Sequence, residues 1–199
     1  GHEVAGEIID VGKGVNKQVI GKRIALEVLG SGKSCNTCWF CRHGQYTHCS
    51  DKKGSSSGGF AEYITRKIGG CYELGDQMTW DEGALVEPLA VSIHGVRIGG
   101  LKGGESVAIL GSGNIGLTAV AAARGLGAGK IFVTSRHKQQ SDMAKVLGAD
   151  YTATSEGDEF EQLILDKTDG RGVDLTIETV GGSQNDTLVQ SFQVTRRQG

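Results

Sequence analysis

The sequence has a single proline, no surplus of either charge and no long apolar run, and these shortages exclude whole classes of function. Acidic and basic residues nearly cancel, with a formal net charge of −2 over 199 residues. That gives no electrostatic reason to expect nucleic acid or an anionic membrane as partner. No stretch approaches the roughly 18 apolar residues of a transmembrane helix, and no secretory leader is visible. There is no initiator Met: the chain opens on Gly1-His2-Glu3 and stops at Gln198-Gly199 directly after a helical pattern. An internal piece of a longer, cytoplasmic protein is expected.

What the chain does have is glycine, 33 residues against the one proline, Pro88. Such abundance implies many tight turns and close backbone approaches. It also makes accidental glycine motifs common, so any such motif must be judged by its setting. Five cysteines are present, and four of them fall within residues 35–49. An odd number crowded in this way does not resemble a secreted disulfide framework. It reads as a metal site plus one remaining thiol, Cys71, which is expected to pack as a small apolar residue.

Two textures divide the chain. Residues 4–11 and 19–28 are β-rich runs punctuated by glycine, and residues 60–64 return to a strand pattern. Between them lie the cysteines and a Ser/Gly stretch at 54–59, a loop that needs something other than apolar burial to order it. Beyond about residue 88, strands are expected at 107–110, 131–134, 151–153 and 173–179, alternating with helices at 115–127, 139–147 and 160–168. That alternation implies parallel βαβ units.

Cys35-x2-Cys38-x2-Cys41-x7-Cys49 supplies four soft thiolates in one short loop. Zn²⁺ takes four such ligands tetrahedrally, and closed four-cysteine sites are structural rather than catalytic. An iron–sulfur site shares the opening spacing but closes with x3-C-P, whereas the gap here is seven residues with no proline. Disulfides are disfavoured by the crowding. His43 and His48 lie inside the cluster and are expected to be bystanders.

Gly111-Ser112-Gly113-Asn114-Ile115-Gly116 matches G-x-G-x-x-G and sits between an expected strand and an expected helix, the setting that makes the string a dinucleotide fingerprint. Small residues let the backbone approach a pyrophosphate, and the helix N-terminus supplies N–H groups. About 20 residues on, where an NAD site carries Asp or Glu, the strand tip reads Ser135-Arg136-His137-Lys138. A carboxylate would repel a 2′-phosphate, while arginine binds one in a bidentate way. The tip therefore favours NADP(H) over NAD(H), with Ser135, Arg136 and Lys138 as the reading residues.

Several separated motifs now agree with one family. They are Gly1-His2-Glu3-x2-Gly6-Glu7, Gly21-Lys22-Arg23-Ile24-Ala25, the four-cysteine loop, Gly59-Phe60-Ala61-Glu62-Tyr63, Glu82-Gly83-Ala84, Glu87-Pro88-Leu89-Ala90-Val91, the glycine fingerprint, and Val173-Asp174 through Gly181. In order and spacing the chain resembles the zinc-containing medium-chain dehydrogenases, especially their sorbitol (polyol) and threonine dehydrogenase branch. The resemblance implies an α/β protein with a partial GroES-like β domain over 1–88, carrying the structural zinc loop, and a partial Rossmann doubly wound parallel sheet over 89–199. It implies that His2 and Glu87 hold a second, catalytic zinc, with Glu3 near or on the metal; Glu87 stands where liver-type alcohol dehydrogenases have Cys. His94 is not implied as a ligand; it is expected to shape a pocket or simply pack.

The activity implied is reversible hydride transfer between a secondary alcohol or polyol and NADP(H), in a parent protein that is a homo-dimer or homo-tetramer. There are departures. The family's upstream Cys ligand and proton-relaying hydroxyl are not among these residues, and Asn114 stands where the family usually has Pro. The 199 residues alone are therefore expected to hold one tight zinc, bind NADP(H) weakly and turn nothing over. Two other readings compete. One is a non-catalytic zinc- and nucleotide-binding module, distinguished by zinc content. The other is a zinc-free quinone or enoyl reductase, which would lack both the four-cysteine loop and the His2-Glu3 pair.

Overall fold

The structure is a computed structural model and describes residues 1–27, 33–52, 58–154 and 158–199. Val28 and the Ser/Gly residues 54–57 of the expected elements lie outside the described residues. The chain forms two compact units, Gly1–Glu87 and Pro88–Gly199.

The first unit is built on a three-stranded antiparallel sheet of β1 (Ala5–Glu7), β2 (Arg23–Leu26) and β3 (Cys71–Glu73), in that order. Its apolar core is thin: Ile24, Ala25, Leu26, Cys41 and Leu74 are its buried hydrophobic residues among those described. The two expected strands shrink to β1 and β2, and Lys17–Val19 is a 3₁₀ turn instead. Residues 60–64, expected as a strand, form none, and Phe60 is 95 % exposed. Alternation alone supplies no ladder partner; β2 pairs with β1 and with β3, and the alternation did not announce β3. A four-residue helix, α1 (Trp39–Arg42), sits in the cysteine loop.

A long helix, α2 (Trp80–Ile98), carries the chain from one unit into the next. Its start is a capping box. The Thr79 N–H and hydroxyl donate to Glu82 Oε2 at 2.7 and 3.0 Å, and the Glu82 N–H donates to Thr79 Oγ1 at 3.2 Å. Pro88 lies inside it and removes one backbone donor from the ladder.

The second unit is a four-stranded parallel sheet in the order β6 (Tyr151–Ala153), β5 (Lys130–Thr134), β4 (Ser106–Leu110), β7 (Leu175–Glu178). The connections carry α3 (Asn114–Gly125), α4 (Lys138–Val146) and α5 (Glu159–Lys167), and α6 (Asp186–Val194) follows β7. All five residues of β4 are buried, because the sheet is covered on both faces. Val107 and Ile109 join one core with Val96, Val120, Ile131 and Val133. Ala108 and Leu110 join another with Phe132, Phe160, Ile164 and Val194.

Asp174 ties the N-terminal ends of β4 and β7 together. Its Oδ2 accepts the Ser106 N–H at 2.8 Å and hydroxyl at 2.7 Å, and its Oδ1 accepts Arg196 Nε at 2.7 Å and Arg171 Nη1 at 3.2 Å. Burial pushes this carboxyl up, but the Ser106 bonds and the two guanidiniums outweigh it and bring it down from 3.8 to about 2. A group depressed on folding stabilises above its unfolded pKa and loses that contribution as pH falls through the folded one. At 10 % exposure the side chain needs little discount for solvent. Asp174→Asn is therefore expected to cost the second unit about 2 kcal/mol at neutral pH. It should also remove most of the stability loss otherwise seen between pH 4 and 2. Urea unfolding monitored across that pH range checks both.

Candidate metal centres and dinucleotide site

Cys35 and Cys38 occupy the turn before α1, Cys41 lies on α1, and Cys49 follows the 3₁₀ turn Tyr46–His48. This folding brings all four Sγ atoms within 4.8 Å of one another. Cys35 Sγ lies 4.0 Å and Cys38 Sγ 3.5 Å from Cys41 Sγ. A tetrahedron with metal–sulfur bonds of about 2.3 Å has sulfur–sulfur edges of about 3.8 Å, so the four thiols fit a zinc ion. All five cysteines are free, and these separations far exceed the roughly 2.05 Å of a disulfide.

The surroundings suit thiolates. Cys35 Sγ accepts the N–H groups of Thr37 and Cys38 at 3.4 and 3.3 Å and the Thr37 hydroxyl at 3.4 Å, and Cys49 Sγ accepts the Cys35 N–H at 3.3 Å. The Thr37 bonds lower the Cys35 thiol, and the Cys41 and Ser50 N–H groups bring Cys38 down to about 5. Burial, reinforced by the neighbouring sulfurs, pushes Cys41 up to about 12. A divalent cation reverses that last effect by charge. His43 and His48 are both exposed and outside the ligand group. The His43 ring stacks on Trp39 at 4.0 Å, with Nδ1 2.7 Å from the Trp39 carbonyl. The fifth thiol, Cys71, is half-buried in β3, where burial pushes it up.

A second donor group forms within the same unit. His2 and Glu3, just before β1, meet Glu87 of α2, with one ligand atom from each within 4.8 Å of the others. His2 Nε2 lies 4.0 Å from Glu87 Oε2, and the side chains are 60 % and 17 % exposed. Imidazole with carboxylates is a donor set zinc accepts, and three protein ligands leave a position open for substrate. Residues 85 positions apart in sequence are thus neighbours. His94 stands exposed further along α2, in the second unit.

The glycine turn joins β4 to α3. Gly111 has φ +99°, a backbone conformation that favours glycine. A Cβ on Gly116 would lie 2.2 Å from the Gly111 carbonyl oxygen, so this position excludes any side chain. Gly113, the N-cap of α3, has open space around its Cβ position, as a phosphate-approaching backbone requires. Asn114 and Ile115 open the helix, whose first turn offers N–H groups without intrahelical acceptors. At the end of β5, Ser135 is half-buried with its N–H on the Ala153 carbonyl. Arg136 is exposed and makes no ion pair among the described residues, whereas Lys138 pairs with Asp142 one turn along α4. No acid stands at the tip.

Motif reading did not single out Thr134, Gln140 or Thr179, which bond to the turn. Ser112, buried within it, donates to Gln140 Oε1 at 3.3 Å.

Comparison with known proteins agrees with this geometry. The family model described as the alcohol dehydrogenase GroES-like domain matches residues 1–76, and the one described as zinc-binding dehydrogenase matches residues 114–199. The chain is 36 % identical to sorbitol dehydrogenase of Bacillus subtilis, over all of this chain and 56 % of that protein. It is 38 % identical to L-idonate 5-dehydrogenase of Vitis vinifera, over all of this chain and 55 % of the relative. A crystal structure described as a zinc-binding dehydrogenase from Sinorhizobium meliloti bound to NADP superposes with a TM-score of 0.86 at 33 % identity, covering 100 % of this chain and 58 % of that one. The chain thus spans about half the length of the curated relatives it matches. Matched in both of its units and in the order of its motifs, the chain belongs to the zinc-containing medium-chain dehydrogenase family.

Proposed function

We propose that the protein is a zinc-dependent oxidoreductase that interconverts a secondary alcohol or polyol with its ketone, using NADP(H) in preference to NAD(H). The observation that carries this reading is the His2–Glu3–Glu87 group: a histidine and two carboxylates meet at one point beside a separate four-thiol cluster. The thiol cluster orders a loop, and the mixed donor group is left to serve chemistry. Its similarity to sorbitol and L-idonate dehydrogenases supports a polyol-type substrate.

In this reading His2 and Glu87 hold the catalytic zinc, with Glu3 near or on the metal. When bound, zinc supplies a Lewis acid that lowers the pKa of a substrate hydroxyl, and the nicotinamide supplies the hydride acceptor. Gly111, Gly113 and Gly116 give the pyrophosphate its approach, with the N–H groups at Asn114 and Ile115 facing charge of the right sign. Ser135 and Arg136 read the 2′-phosphate. Lys138, paired with Asp142, plays the smaller part. A cytoplasmic location is part of the reading, because the four cysteines are spaced as metal ligands rather than as a secreted disulfide framework. Self-association as a dimer or tetramer is part of the reading, carried by the family resemblance.

The test is zinc-dependent oxidation of sorbitol, L-idonate, butanediol and threonine with NADP and NAD, by a protein carrying this chain at the full length of its relatives. NADP-linked turnover that stops on chelation and returns with zinc is expected; no zinc-dependent turnover with any of these would overturn the polyol reading. The 199 residues by themselves are expected to turn over none. On the cofactor, Arg136→Ala should weaken NADPH binding by roughly ten- to a hundredfold and leave NADH within about twofold, as loss of a charged hydrogen-bonding group on the 2′-phosphate requires. Equal or tighter binding of NADH by the unsubstituted protein would sink the NADP preference.

A further inference from the structure

We infer that Thr134 and Thr179 are positioning residues of the dinucleotide site, holding the Leu110–Gly111 peptide from both sides of β4 and so fixing the turn that receives the pyrophosphate. The inference deepens the dinucleotide-binding function proposed above and rests on it. Strand β4 lies between β5 and β7. Its ladder ends at Ile109↔Val133 on one side and Leu110↔Glu178 on the other. Thr134 and Thr179 are the next residues along each neighbour.

From the β5 side, Thr134 Oγ1 accepts the Gly111 N–H at 2.7 Å. From the β7 side, the Thr179 hydroxyl donates to the Leu110 carbonyl at 2.8 Å, and its N–H donates to the same oxygen at 2.9 Å. Both polar groups of one peptide are thus engaged by hydroxyls on flanking strands. The arrangement has a reason. The β4–β5 ladder stops at Ile109↔Val133, so the Gly111 N–H meets the Thr134 hydroxyl in place of a ladder carbonyl. Thr134 is only 2 % exposed, so water is a poor substitute for its hydroxyl, and a buried donor without a partner is costly.

Thr179 has a second effect. Its Oγ1 lies 2.8 Å from the Cβ position of Gly111 and 2.9 Å from that of Gly116, filling the space between the first and last glycines. The plane of the Leu110–Gly111 peptide sets the direction in which the chain enters α3, and with it the aim of the N–H groups presented to an anion. Neither threonine need touch the nucleotide; each acts through Gly111. The pyrophosphate is common to NADPH and NADH, so the effect must be blind to the 2′-phosphate.

The experiment uses the protein carrying this chain at the full length of its relatives and its T134V, T179V, T134S, T179S and R136A variants. NADPH and NADH are titrated by fluorescence, and urea unfolding is measured alongside. T134V should raise the dissociation constants of both nucleotides by a common factor of roughly ten, the equilibrium equivalent of one unpaired buried group. T179V, whose N–H still serves the Leu110 carbonyl, should raise both by a common factor of about five, the equivalent of one lost hydrogen bond. The serine variants, which keep the hydroxyl, should stay within about twofold, and R136A should weaken NADPH alone. A merely structural role would lower the unfolding midpoint while leaving the dissociation constants of the folded protein unchanged, and that result would overturn the inference. So would losses as large in the serine variants as in the valine ones. If T134V does not fold, T179V against T179S decides. Tighter NADH than NADPH binding by the unsubstituted protein would remove the NADP preference, while a common loss on NADH would still support the positioning role. Binding of neither nucleotide would overturn both.

Discussion

Cys41→Ser is expected to strip the four-cysteine loop of its zinc and to unfold the first unit at a much lower temperature than the unsubstituted protein, leaving the parallel sheet of the second unit intact. The loop has little else to order it. Within described residues 33–52, Ser34 and Cys41 are the buried residues, while Trp39 is 61 % exposed and Phe40 also reaches solvent. Structural zinc contributes on the order of 10–16 kcal/mol in small domains, so losing one of four thiolates should cost on the order of 3 kcal/mol and a hundredfold or more in zinc affinity. Cys71→Ser is the control. Cys71 is a half-buried thiol of β3 outside the cluster, and its loss should leave zinc content unchanged. Metal analysis after dialysis, paired with thermal unfolding, reads both. Full zinc retention by Cys41→Ser would contradict the four-thiolate site.

Gly116→Ala should be nearly as damaging to the second unit. The added methyl would sit 2.2 Å from the Gly111 oxygen, 2.8 Å from its carbonyl carbon and 2.9 Å from Thr179 Oγ1. Two of those atoms are backbone and cannot rotate away. Either α3 withdraws from the sheet or the turn opens, at a cost of about 3 kcal/mol, the upper range for overpacking. Either movement misaims the N–H groups at the helix start, so nucleotide affinity should fall by roughly a hundredfold, the equivalent of one or two lost hydrogen bonds to a charged pyrophosphate. Gly125→Ala, in the same helix, meets nothing within 4 Å and should stabilise by about 0.5–1 kcal/mol. Opposite signs for one substitution at two positions of one helix separate a steric effect from helix propensity. Equal, small effects in urea unfolding would contradict the packing described.

The parts legible in the sequence were those where spacing alone carries the chemistry. The four cysteines fall in one short loop, so their convergence needed no tertiary information, and the strand–turn–helix setting made the glycine fingerprint readable. β4 announced itself as an unbroken apolar run because it is buried on both faces. Elements that depend on distant partners were less visible. Residues 60–64 alternate like a strand yet have no ladder, while β3 pairs with β2 from 45 or more residues away. The long helix α2 hid behind Gly83, Pro88 and Gly95, although Thr79-x-x-Glu82 was a start signal in plain view. Meeting of His2 and Glu3 with Glu87 is a product of folding across the whole first unit, so only family resemblance could have joined them. The hydroxyls of Thr134 and Thr179 belong to no motif; their roles exist only where three strands end together.

The decisive measurement is the zinc content of the full-length protein that carries this chain. Two ions per subunit are expected, one held by Cys35, Cys38, Cys41 and Cys49 and one by the group containing His2 and Glu87. One ion per subunit would contradict the dehydrogenase reading and leave a non-catalytic zinc- and nucleotide-binding module in its place.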